Sequence, residues 1–377
     1  MNTGKHSTVN TPQGSFHLER YPARRGDQKQ AWNAADLLLL EFAAQAGTSA
    51  ADTLVVNDEF GAIALALGSE CVVWSDSALT ASALLHNAGL NTLEAPRLLP
   101  ATAVPRGRWK LVLLRIPKNL SLLRYQLQSL RDSLPAGCLV VCGGMDKHLP
   151  RGVADTIEAF LGPTERHRGQ RKARLFSAQL DKTRQASEPP QQQFFCPELG
   201  QELISRPNVF SAAQLDIGTR LLLQHMDKAP RAERVADLGC GNGVIGLAVL
   251  THNPQASVDF IDESALAIAS AGDNVQALFP RRHAACTFHW ADGFTNYSGP
   301  EPGLILCNPP FHQQHVVDDF AGRRLLEQSA DVMRGGGELW VVANRHLPYG
   351  KTLRSRFAVV ERLAENAKFI VWRAVKG

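Results

Sequence analysis

The sequence predicts an α/β protein made of two tandem domains, each built around a parallel sheet. Short β-branched runs alternate with Ala/Leu-rich helical stretches in both halves, an alternation typical of βαβ units. The length of 377 residues allows two domains that each bury a core. A polar stretch with a Pro-Pro pair, residues 181–193, is the predicted linker between residues 1–180 and residues 194–377.

The composition argues against several other classes of protein. With 44% hydrophobic and 20% charged residues, the chain is unlike disordered, collagen-like or coiled-coil proteins. No apolar run reaches the length of a membrane span and the first residues lack an apolar signal core, so we expect no membrane contact. The seven cysteines show no zinc-type spacing. This favours a reduced, cytoplasmic protein without a metal.

Charge is distributed unevenly between the two halves. Residues 1–190 hold 22 Lys and Arg against 17 Asp and Glu, a net charge of +5, and residues 191–377 hold 18 against 19. A basic first half is typical of a module that binds a polyanion such as RNA. Ordinary surface charge explains it equally well, so charge alone does not decide the function.

The second half gives the clearest pattern of strands and helices. Predicted strands, all followed by turn or helix signals, are residues 234–238, 257–261, 287–290, 304–307 and 338–343. Helices are predicted at residues 244–250 and 264–277, and residues 358–363 and 368–375 are predicted to close the chain as an antiparallel pair.

The first half resembles a degenerate copy of this plan. GAIALA at residues 61–66 matches GVIGLA at residues 243–248. Weaker matches follow in chain order: residues 77–79 with 264–266, 87 with 274, 115–118 with 308–311, and 135–141 with 335–341. Their offsets grow along the chain, as a duplication with later insertions would produce, so we predict an internal repeat.

A glycine-rich loop follows the first strand of the second half. In DLGCGNG, Gly239, Gly241 and Gly243 allow a tight turn and a close backbone approach to a ligand at a helix N-terminus, and Asp237 stands directly before them. Asp262, at the end of the next strand, is placed to accept hydrogen bonds from ribose hydroxyls. GxGxxG spacing is satisfied as well, so both NAD and S-adenosylmethionine fit this loop.

The sequence Asn308-Pro309-Pro310-Phe311 follows another apolar strand. This motif favours S-adenosylmethionine over NAD as the cofactor. Two prolines in a row remove N–H donors and stiffen the chain, leaving acceptors beside an aromatic ring. This set suits a planar amine: Asn308 and the Pro309 carbonyl accept its hydrogens while Phe311 stacks on the ring. A hydride-transfer enzyme has no use for such a pocket, so we predict methyl transfer to an amine.

Two weaker candidates complete the predicted cofactor site. Ala291 and Asp292 follow a strand, and Asp292 can accept from the adenine amine, although a capping role explains it nearly as well. Asp216 and Thr219 precede the first strand and can fold over the cofactor. They would be equally ordinary at the start of a helix.

The first half lacks these features. Where the glycine loop would stand it has the sequence VNDEFG, with one glycine, and we expect a shorter loop. Where NPPF would stand it has Arg115-Ile-Pro-Lys118, a cationic pair that cannot hold an amine but can meet phosphate. We therefore expect a non-catalytic domain that has become an RNA-docking surface.

Taken together, these motifs resemble the class I S-adenosylmethionine-dependent methyltransferases that act on exocyclic or amide nitrogens. NVFS, LDIGTRLLL, DLGCGNGVIGL, NPPFHQQH, GGGELWVVANRHLPY and KFIVWRAVK resemble, more closely, the bacterial ribosomal RNA guanine-N2 methyltransferases. The resemblance implies two tandem Rossmann-like class I methyltransferase domains, the N-terminal one degenerate. It also implies that Asp237, the three glycines and Asp262 bind the cofactor, and that residues 308–311 bind the base.

The implied reaction is methylation of one guanine N2 in 23S ribosomal RNA, naked or in a pre-ribosomal particle, by a monomer in the cytoplasm. Within the same chemistry, 16S ribosomal RNA, a protein glutamine and a DNA adenine are alternative substrates. A protein that binds RNA and cofactor without turnover, and an NAD oxidoreductase, are the alternatives from other classes.

Overall fold

The computed structural model describes residues 7–24, 26–183, 192–310, 312–313, 316–317 and 319–377. The chain divides into two compact units, residues 1–190 (unit 1) and residues 191–377 (unit 2). The division falls inside the proline-containing stretch 181–193. The predicted linker was too long at its end, because residues 192 and 193 already pair with residues 205 and 204 in the first hairpin of unit 2.

Unit 1 contains nine strands and five α-helices among its described residues. The strands are β1 (Thr8–Thr11), β2 (Gly14–His17), β3 (Thr53–Val56), β4 (Val72–Ser75), β5 (Arg97–Pro100), β6 (Leu111–Arg115), β7 (Leu139–Met145), β8 (Glu165–Arg166) and β9 (Ala173–Gln179). The helices are α1 (Ala34–Ala46), α2 (Ala62–Leu67), α3 (Ala78–Leu90), α4 (Leu120–Ser133) and α5 (Val153–Leu161).

Unit 2 repeats this order with eleven strands and five α-helices in its described part. The strands are β10 (Gln192–Cys196), β11 (Gln201–Ser205), β12 (Arg234–Leu238), β13 (Ser257–Asp262), β14 (Cys286–Trp290), β15 (Leu304–Cys307), β16 (His312–Gln313), β17 (Val316–Val317), β18 (Glu338–Asn344), β19 (Val359–Glu365) and β20 (Phe369–Val375). The helices are α6 (Ile217–Leu223), α7 (Val244–His252), α8 (Ala265–Leu278), α9 (Phe320–Val332) and α10 (Tyr349–Arg356).

The two large sheets have the same strand order, which confirms the internal repeat and the predicted fold class. The order in unit 1 is β5-β4-β3-β6-β7-β9-β8, and in unit 2 it is β14-β13-β12-β15-β18-β20-β19. In each sheet the first five strands are parallel and the last two pair antiparallel. The predicted closing pair of strands is therefore present, as β19 and β20.

The chain order of the strands reverses between β12 and β15. From β12 the chain continues outward to β13 and β14, and then returns to form β15 on the other side of β12. Ligands of open α/β sheets bind at such a switch point, beyond the carboxyl ends of the strands. The glycine loop follows β12 and residues 308–310 follow β15, so the fold brings both predicted motifs to this point.

Burial and capping explain why these elements form. All four residues of β15 and most of β12 are buried, as expected for strands covered by helices on both faces. The helices α3 and α8 begin at serine N-caps, Ser77 and Ser264, whose side chains accept hydrogen bonds from the first-turn backbone. Within the described residues, no helix has both the length and the apolarity that crossing a bilayer requires.

Candidate active site

Three glycines shape the loop between β12 and α7. Gly239, Gly241 and Gly243 have φ angles of 73°, 56° and 85°, in the left-handed region that favours glycine. A Cβ atom built on Gly241 would meet nothing within 4 Å, and one built on Gly239 would meet only the Asn308 carbonyl oxygen, at 3.7 Å. The loop therefore leaves open space on this side and lies directly beside the end of β15.

Asp237 is a fully buried acid below this loop. Its Oδ2 accepts a hydrogen bond from the Gly246 backbone N–H at 2.8 Å, whereas its Oδ1 has no partner among the described residues. Burial raises the pKa of Asp237 to about 7; the Gly246 N–H opposes this rise and the nearby Asp262 carboxylate adds to it. An unpaired buried carboxylate oxygen is costly, so it marks a place where a ligand donor is expected.

Asp262 lies at the end of β13 and faces the same loop. Its Oδ2 accepts from the Gly241 N–H at 2.9 Å, and its Oδ1 accepts from the Ser264 N–H at 2.9 Å. These two bonds orient the carboxylate at the edge of the glycine loop. Asp262 lies at the predicted strand end beside the glycine loop, and its role as an acceptor for ribose hydroxyls stays a prediction.

Asn308 lies at the carboxyl end of β15, next to the glycine loop. Its Nδ2 donates to Thr219 Oγ1 at 2.8 Å and to Asp216 Oδ2 at 3.3 Å. Its Oδ1 is buried and has no partner among the described residues. Pro309 is buried and Pro310 is exposed. The fourth member of the motif, Phe311, lies outside the described residues.

Asp216 and Thr219 occupy the start of α6. The sequence placed them in the cofactor site, but in the structure their side chains contact the Asn308 carboxamide. Asp216 is also the N-cap of α6, and its Oδ2 accepts from the backbone N–H groups of Gly218 and Thr219. A role in holding the cofactor stays a prediction, whereas the contact with Asn308 is a feature that sequence reasoning missed.

Asp292 has a protein partner that the sequence did not indicate, and its contact with adenine stays a prediction. Its carboxylate is held on both oxygens by the Arg324 guanidinium of α9, with one of the two bonds at 2.8 Å. The Asp292 side chain is only 4% exposed, so an adenine amine would have to share a carboxylate that is already paired. The neighbouring Ala291 donates its N–H to the Asp262 carbonyl, which joins the ends of β13 and β14.

Comparison with known proteins bears on these observations. Residues 200–373 match the methyltransferase small domain and residues 6–182 match the RLMG N-terminal domain. Ribosomal RNA large subunit methyltransferase G of Stutzerimonas stutzeri is 42% identical over 375 residues, which cover 98% of this chain and 99% of that protein. The chain belongs to the family of ribosomal RNA large subunit methyltransferase G. This confirms the resemblance carried by the sequence motifs.

Other relatives agree with this membership in the large subunit methyltransferase G family. The protein of that name from Alcanivorax borkumensis is 44% identical and covers 96% of this chain and 95% of its own length. Among solved structures, the T. thermophilus 16S rRNA N2 G1207 methyltransferase, in complex with AdoMet and guanosine, superimposes with a TM-score of 0.74 at 19% identity. That match covers 98% of this chain and 97% of the other, and it shows the shared two-unit fold.

Unit 1 of this family member differs from the sequence-based expectation at two points. The loop after β3 is not shorter than the glycine loop, because five residues, 57–61, separate β3 from α2 and five, 239–243, separate β12 from α7. In addition, Arg115 is not free to meet phosphate. Its guanidinium pairs with the Asp36 carboxylate of α1, and both side chains are largely buried.

The two units share a buried asparagine, Asn87 or Asn274, that holds two backbone segments together and is called the asparagine clamp. The repeat pattern matched these two positions but gave them no role. In unit 2, Asn274 of α8 bonds with both backbone groups of Ile204 and donates to the Asn242 carbonyl in the glycine loop. In unit 1, Asn87 bonds in the same way with Glu19 and Phe60. The clamp ties the β10–β11 hairpin to the loop in unit 2, and it ties the segment just after the β1–β2 hairpin to the loop in unit 1.

Proposed function

We propose that this protein transfers the methyl group of S-adenosylmethionine to the exocyclic N2 of a guanine in 23S ribosomal RNA. The observation that carries the proposal is the buried Oδ1 of Asn308, which has no partner among the described residues and belongs to the residue beside Gly239. A buried acceptor at the switch point of the sheet fits the NH2 group of a base. The name shared by full-length relatives favours 23S over 16S ribosomal RNA.

The residues around the glycine loop fit the proposed cofactor. When bound there, S-adenosylmethionine supplies an electrophilic methyl group. We assign the unpaired Oδ1 of Asp237 to the amino group of its methionine part, and the Asp262 carboxylate to its ribose hydroxyls. Gly239 and Gly241 keep side chains out of the space that the cofactor needs, whereas Gly243 allows the loop to pack closely against Ala271 and Phe260.

Asn308 and Pro309 would orient the nucleophile. The Asn308 Oδ1 and the Pro309 carbonyl accept the two hydrogens of the guanine amine, which directs the nitrogen lone pair away from the ring plane. Holding the two reactants in this geometry is a large part of catalysing such a displacement. The guanine must leave its stack to enter the pocket, and stacking on Phe311 stays a prediction from the sequence. The methylated nitrogen is acidic enough to lose its proton to water.

The substrate class is tested by methyl-donor labelling of 23S ribosomal RNA, 16S ribosomal RNA, ribosomal proteins and DNA in parallel, naked and in assembled particles. We expect label in 23S RNA alone, released as N2-methylguanine on digestion. Label in ribosomal protein or DNA would instead support amide or adenine methylation, for which the same Asn-Pro-Pro pocket is suited. Absence of label in every acceptor would contradict the proposal.

The role of Asn308 is tested by Asn308→Ala. We expect methyl transfer to fall by roughly 100-fold or more, since misplacement of a reacting group by about 1 Å has this effect, while calorimetry shows unchanged cofactor binding. Gln224→Ala, which removes an exposed carboxamide from the end of α6, is the matched control. Full activity of Asn308→Ala would remove this residue from the mechanism.

We also propose that unit 1 binds RNA, through a basic rim that consists of Lys118, Lys147, Arg168, Arg171 and Lys172. These exposed side chains follow β6 and β7 or precede β9, so they share the carboxyl edge of the sheet. Arg171 pairs with Glu41, whereas Lys147, Arg168 and Lys172 form no ion pair with any described residue. Cations without ion-pair partners at one edge suit a phosphate backbone.

We further propose that the protein acts as a monomer in the cytoplasm, since one chain contains both units.

A further inference from the structure

The contact between α6 and Asn308 determines which way the Asn308 carboxamide faces. The Asp216 carboxylate can only accept hydrogen bonds, so the NH2 end of Asn308 must point toward it. The reversed amide would place Oδ1 against a carboxylate oxygen, with two acceptors facing each other. The Oδ1 of Asn308 is therefore directed away from α6.

The two acceptors on α6 are themselves held in place. Asp216 Oδ2 accepts from the Gly218 and Thr219 N–H groups at 2.9 and 3.1 Å, as the N-cap of the helix. Thr219 is buried, with 4% of the residue exposed. The helix N-terminus holds the Asp216 carboxylate and burial restricts the Thr219 side chain, so the two oxygens form a preformed receptor for the Asn308 Nδ2.

We propose that Asp216 and Thr219 are positioning residues, which orient the Asn308 carboxamide so that its oxygen is presented to the amine of the target base. This inference rests on the proposed function, because it assigns the free oxygen to guanine. It is separate from the sequence-based prediction that these two residues hold the cofactor, and the cofactor Kd distinguishes the two roles. Asn308 touches the substrate, and Asp216 and Thr219 act only through Asn308.

Unit 1 supports this inference through a comparison of the same contact. There the first turn of α1 carries Asp36, and its carboxylate pairs with Arg115 at the end of β6. The helix start and the strand end thus meet in both units, but the polar groups differ. In unit 1 the strand end carries a guanidinium, which has no acceptor atom, whereas in unit 2 the helix accepts only from the Asn308 NH2 and leaves its Oδ1 without a partner among the described residues.

The test uses Thr219→Val, which removes the hydroxyl acceptor at nearly constant volume, and Thr219→Ser, which keeps it. We expect Thr219→Val to lower kcat for ribosomal RNA by roughly 10- to 100-fold, with the cofactor Kd unchanged by calorimetry. Thr219→Ser should restore activity to within about threefold of wild type, because the acceptor is restored. A structural role for the threonine methyl alone predicts the opposite ranking.

A second measurement does not depend on methyl transfer. In the full-length protein, the side-chain NH2 of Asn308, observed by NMR with selective asparagine labelling, should be protected from exchange in wild type and in Thr219→Ser. It should lose protection in Thr219→Val. If wild type protects this group but methylates no RNA, the positioning holds and the proposed function fails.

Two outcomes overturn the positioning role. One is wild-type activity and amide protection in Thr219→Val, and the other is a cofactor Kd raised more than tenfold with kcat unchanged. If Thr219→Val does not fold, Asp216→Asn provides the same test, because asparagine is also a good N-cap but no longer forces the Asn308 amide into one orientation. We expect Asp216→Asn to lower kcat and leave cofactor binding intact, and full activity would count against the proposal.

Discussion

Units 1 and 2 have the same strand order but different chemistry at the same sheet edge. Both loops after the first parallel strand have five residues and end in a glycine with a nearly equal φ, 84° for Gly61 and 85° for Gly243. The middle glycine of unit 2, Gly241, has Glu59 as its counterpart in unit 1. The last residue of the following strand is Asp262 in unit 2 and Ser75 in unit 1.

The comparison distinguishes positions that the two units share from positions that differ between them. The asparagine clamp, the final glycine and the contact between a helix start and a strand end are present in both units. Among the described residues, the acid that ends the second parallel strand, Asp262, the middle glycine, Gly241, and the unpaired amide oxygen of Asn308 occur only in unit 2. Under the proposed function, these few residues at the strand ends are what distinguish the catalytic unit from unit 1.

Each unit also has a buried acid at this loop, Asp58 within the loop of unit 1 and Asp237 in the strand before the loop of unit 2, and the two accept from different numbers of donors. Asp58 in unit 1 accepts from three backbone N–H groups, those of Gly61, Ile63 and Ala64. Asp237 accepts from that of Gly246 and has an unpaired oxygen. Burial raises the pKa of both acids to about 7, and for Asp58 the nearby Asp36 adds to the rise.

The largest effect that we predict concerns Asp237 and pH. Because its pKa is raised on folding, the stabilising contribution is fully present below the unfolded pKa near 4 and is lost as pH rises through about 7. A rise of this size corresponds to a loss on the order of 4 kcal/mol in the free energy of unfolding. Asp237→Asn, which cannot ionise, should remove this part of the pH dependence in the cofactor-free protein.

Urea denaturation of the full chain from pH 4 to pH 8 measures this effect. The loss for Asp58 should remain in the variant, so the pH dependence should flatten without vanishing. Asp227→Asn, which changes an exposed acid of the same unit, is the control and should follow wild type. If the free energy of unfolding depends on pH equally in wild type and Asp237→Asn, the pKa of Asp237 does not change on folding. The unpaired oxygen of Asp237 would then not destabilise the charged form.

A second prediction exchanges a packed pair between the units. In unit 2, a Cβ at Gly246 would lie 2.2 Å from the Phe260 ring. In unit 1 the matching positions are Ala64 and Val73, so a larger residue replaces the glycine and a smaller one replaces the phenylalanine. Gly246→Ala should destabilise unit 2 by about 1–3 kcal/mol through overpacking.

Adding Phe260→Val to Gly246→Ala installs the unit 1 pair. We expect thermal unfolding to show that the double variant is more stable than Gly246→Ala alone, because neighbouring substitutions of complementary size do not add. Phe260→Val alone should be destabilising, since it leaves a cavity. Strict additivity of the two changes would mean that the glycine is required for another reason.

The sequence predicted the elements better than the contacts between their side chains. The strands Arg234–Leu238 and Leu304–Cys307 have the predicted bounds, because a buried apolar run between turn signals is a local pattern. The glycine loop and Asn308 could be assigned to one edge, since carboxyl ends of parallel strands meet there. The growing offsets also revealed the repeat before any topology was known.

Side-chain partners were missed because they are distant in sequence. Asn308 and its partner Thr219 are 89 residues apart in the sequence, and Arg115 and its partner Asp36 are 79 residues apart. Charge alone suggested that Arg115 faces phosphate, and no local pattern reveals a buried acid on a helix that far away. Arg324 gave no signal for its pairing with Asp292, because an arginine on an amphipathic helix is ordinary surface composition.

The smallest effect that we predict separates the two edges of unit 1. Replacing Lys147, Arg168 and Lys172 of the basic rim with Ala removes three unpaired cations from the carboxyl edge. The control replaces Arg97, Arg106 and Arg108, exposed cations that lie at or before the starts of β5 and β6, at the amino edge. The net charge changes equally in both triple variants, so any difference in RNA binding reports position.

Binding of 23S ribosomal RNA as a function of salt concentration measures this difference. If the rim neutralises phosphates, its triple variant should bind about tenfold more weakly, and the slope of log K against log salt should decrease by roughly 2 to 3. The amino-edge variant should keep the wild-type slope, and cofactor binding in unit 2 should be unchanged in both. Equal losses in the two variants would assign the RNA affinity of unit 1 to overall charge, and the two edges of its sheet would then be equivalent.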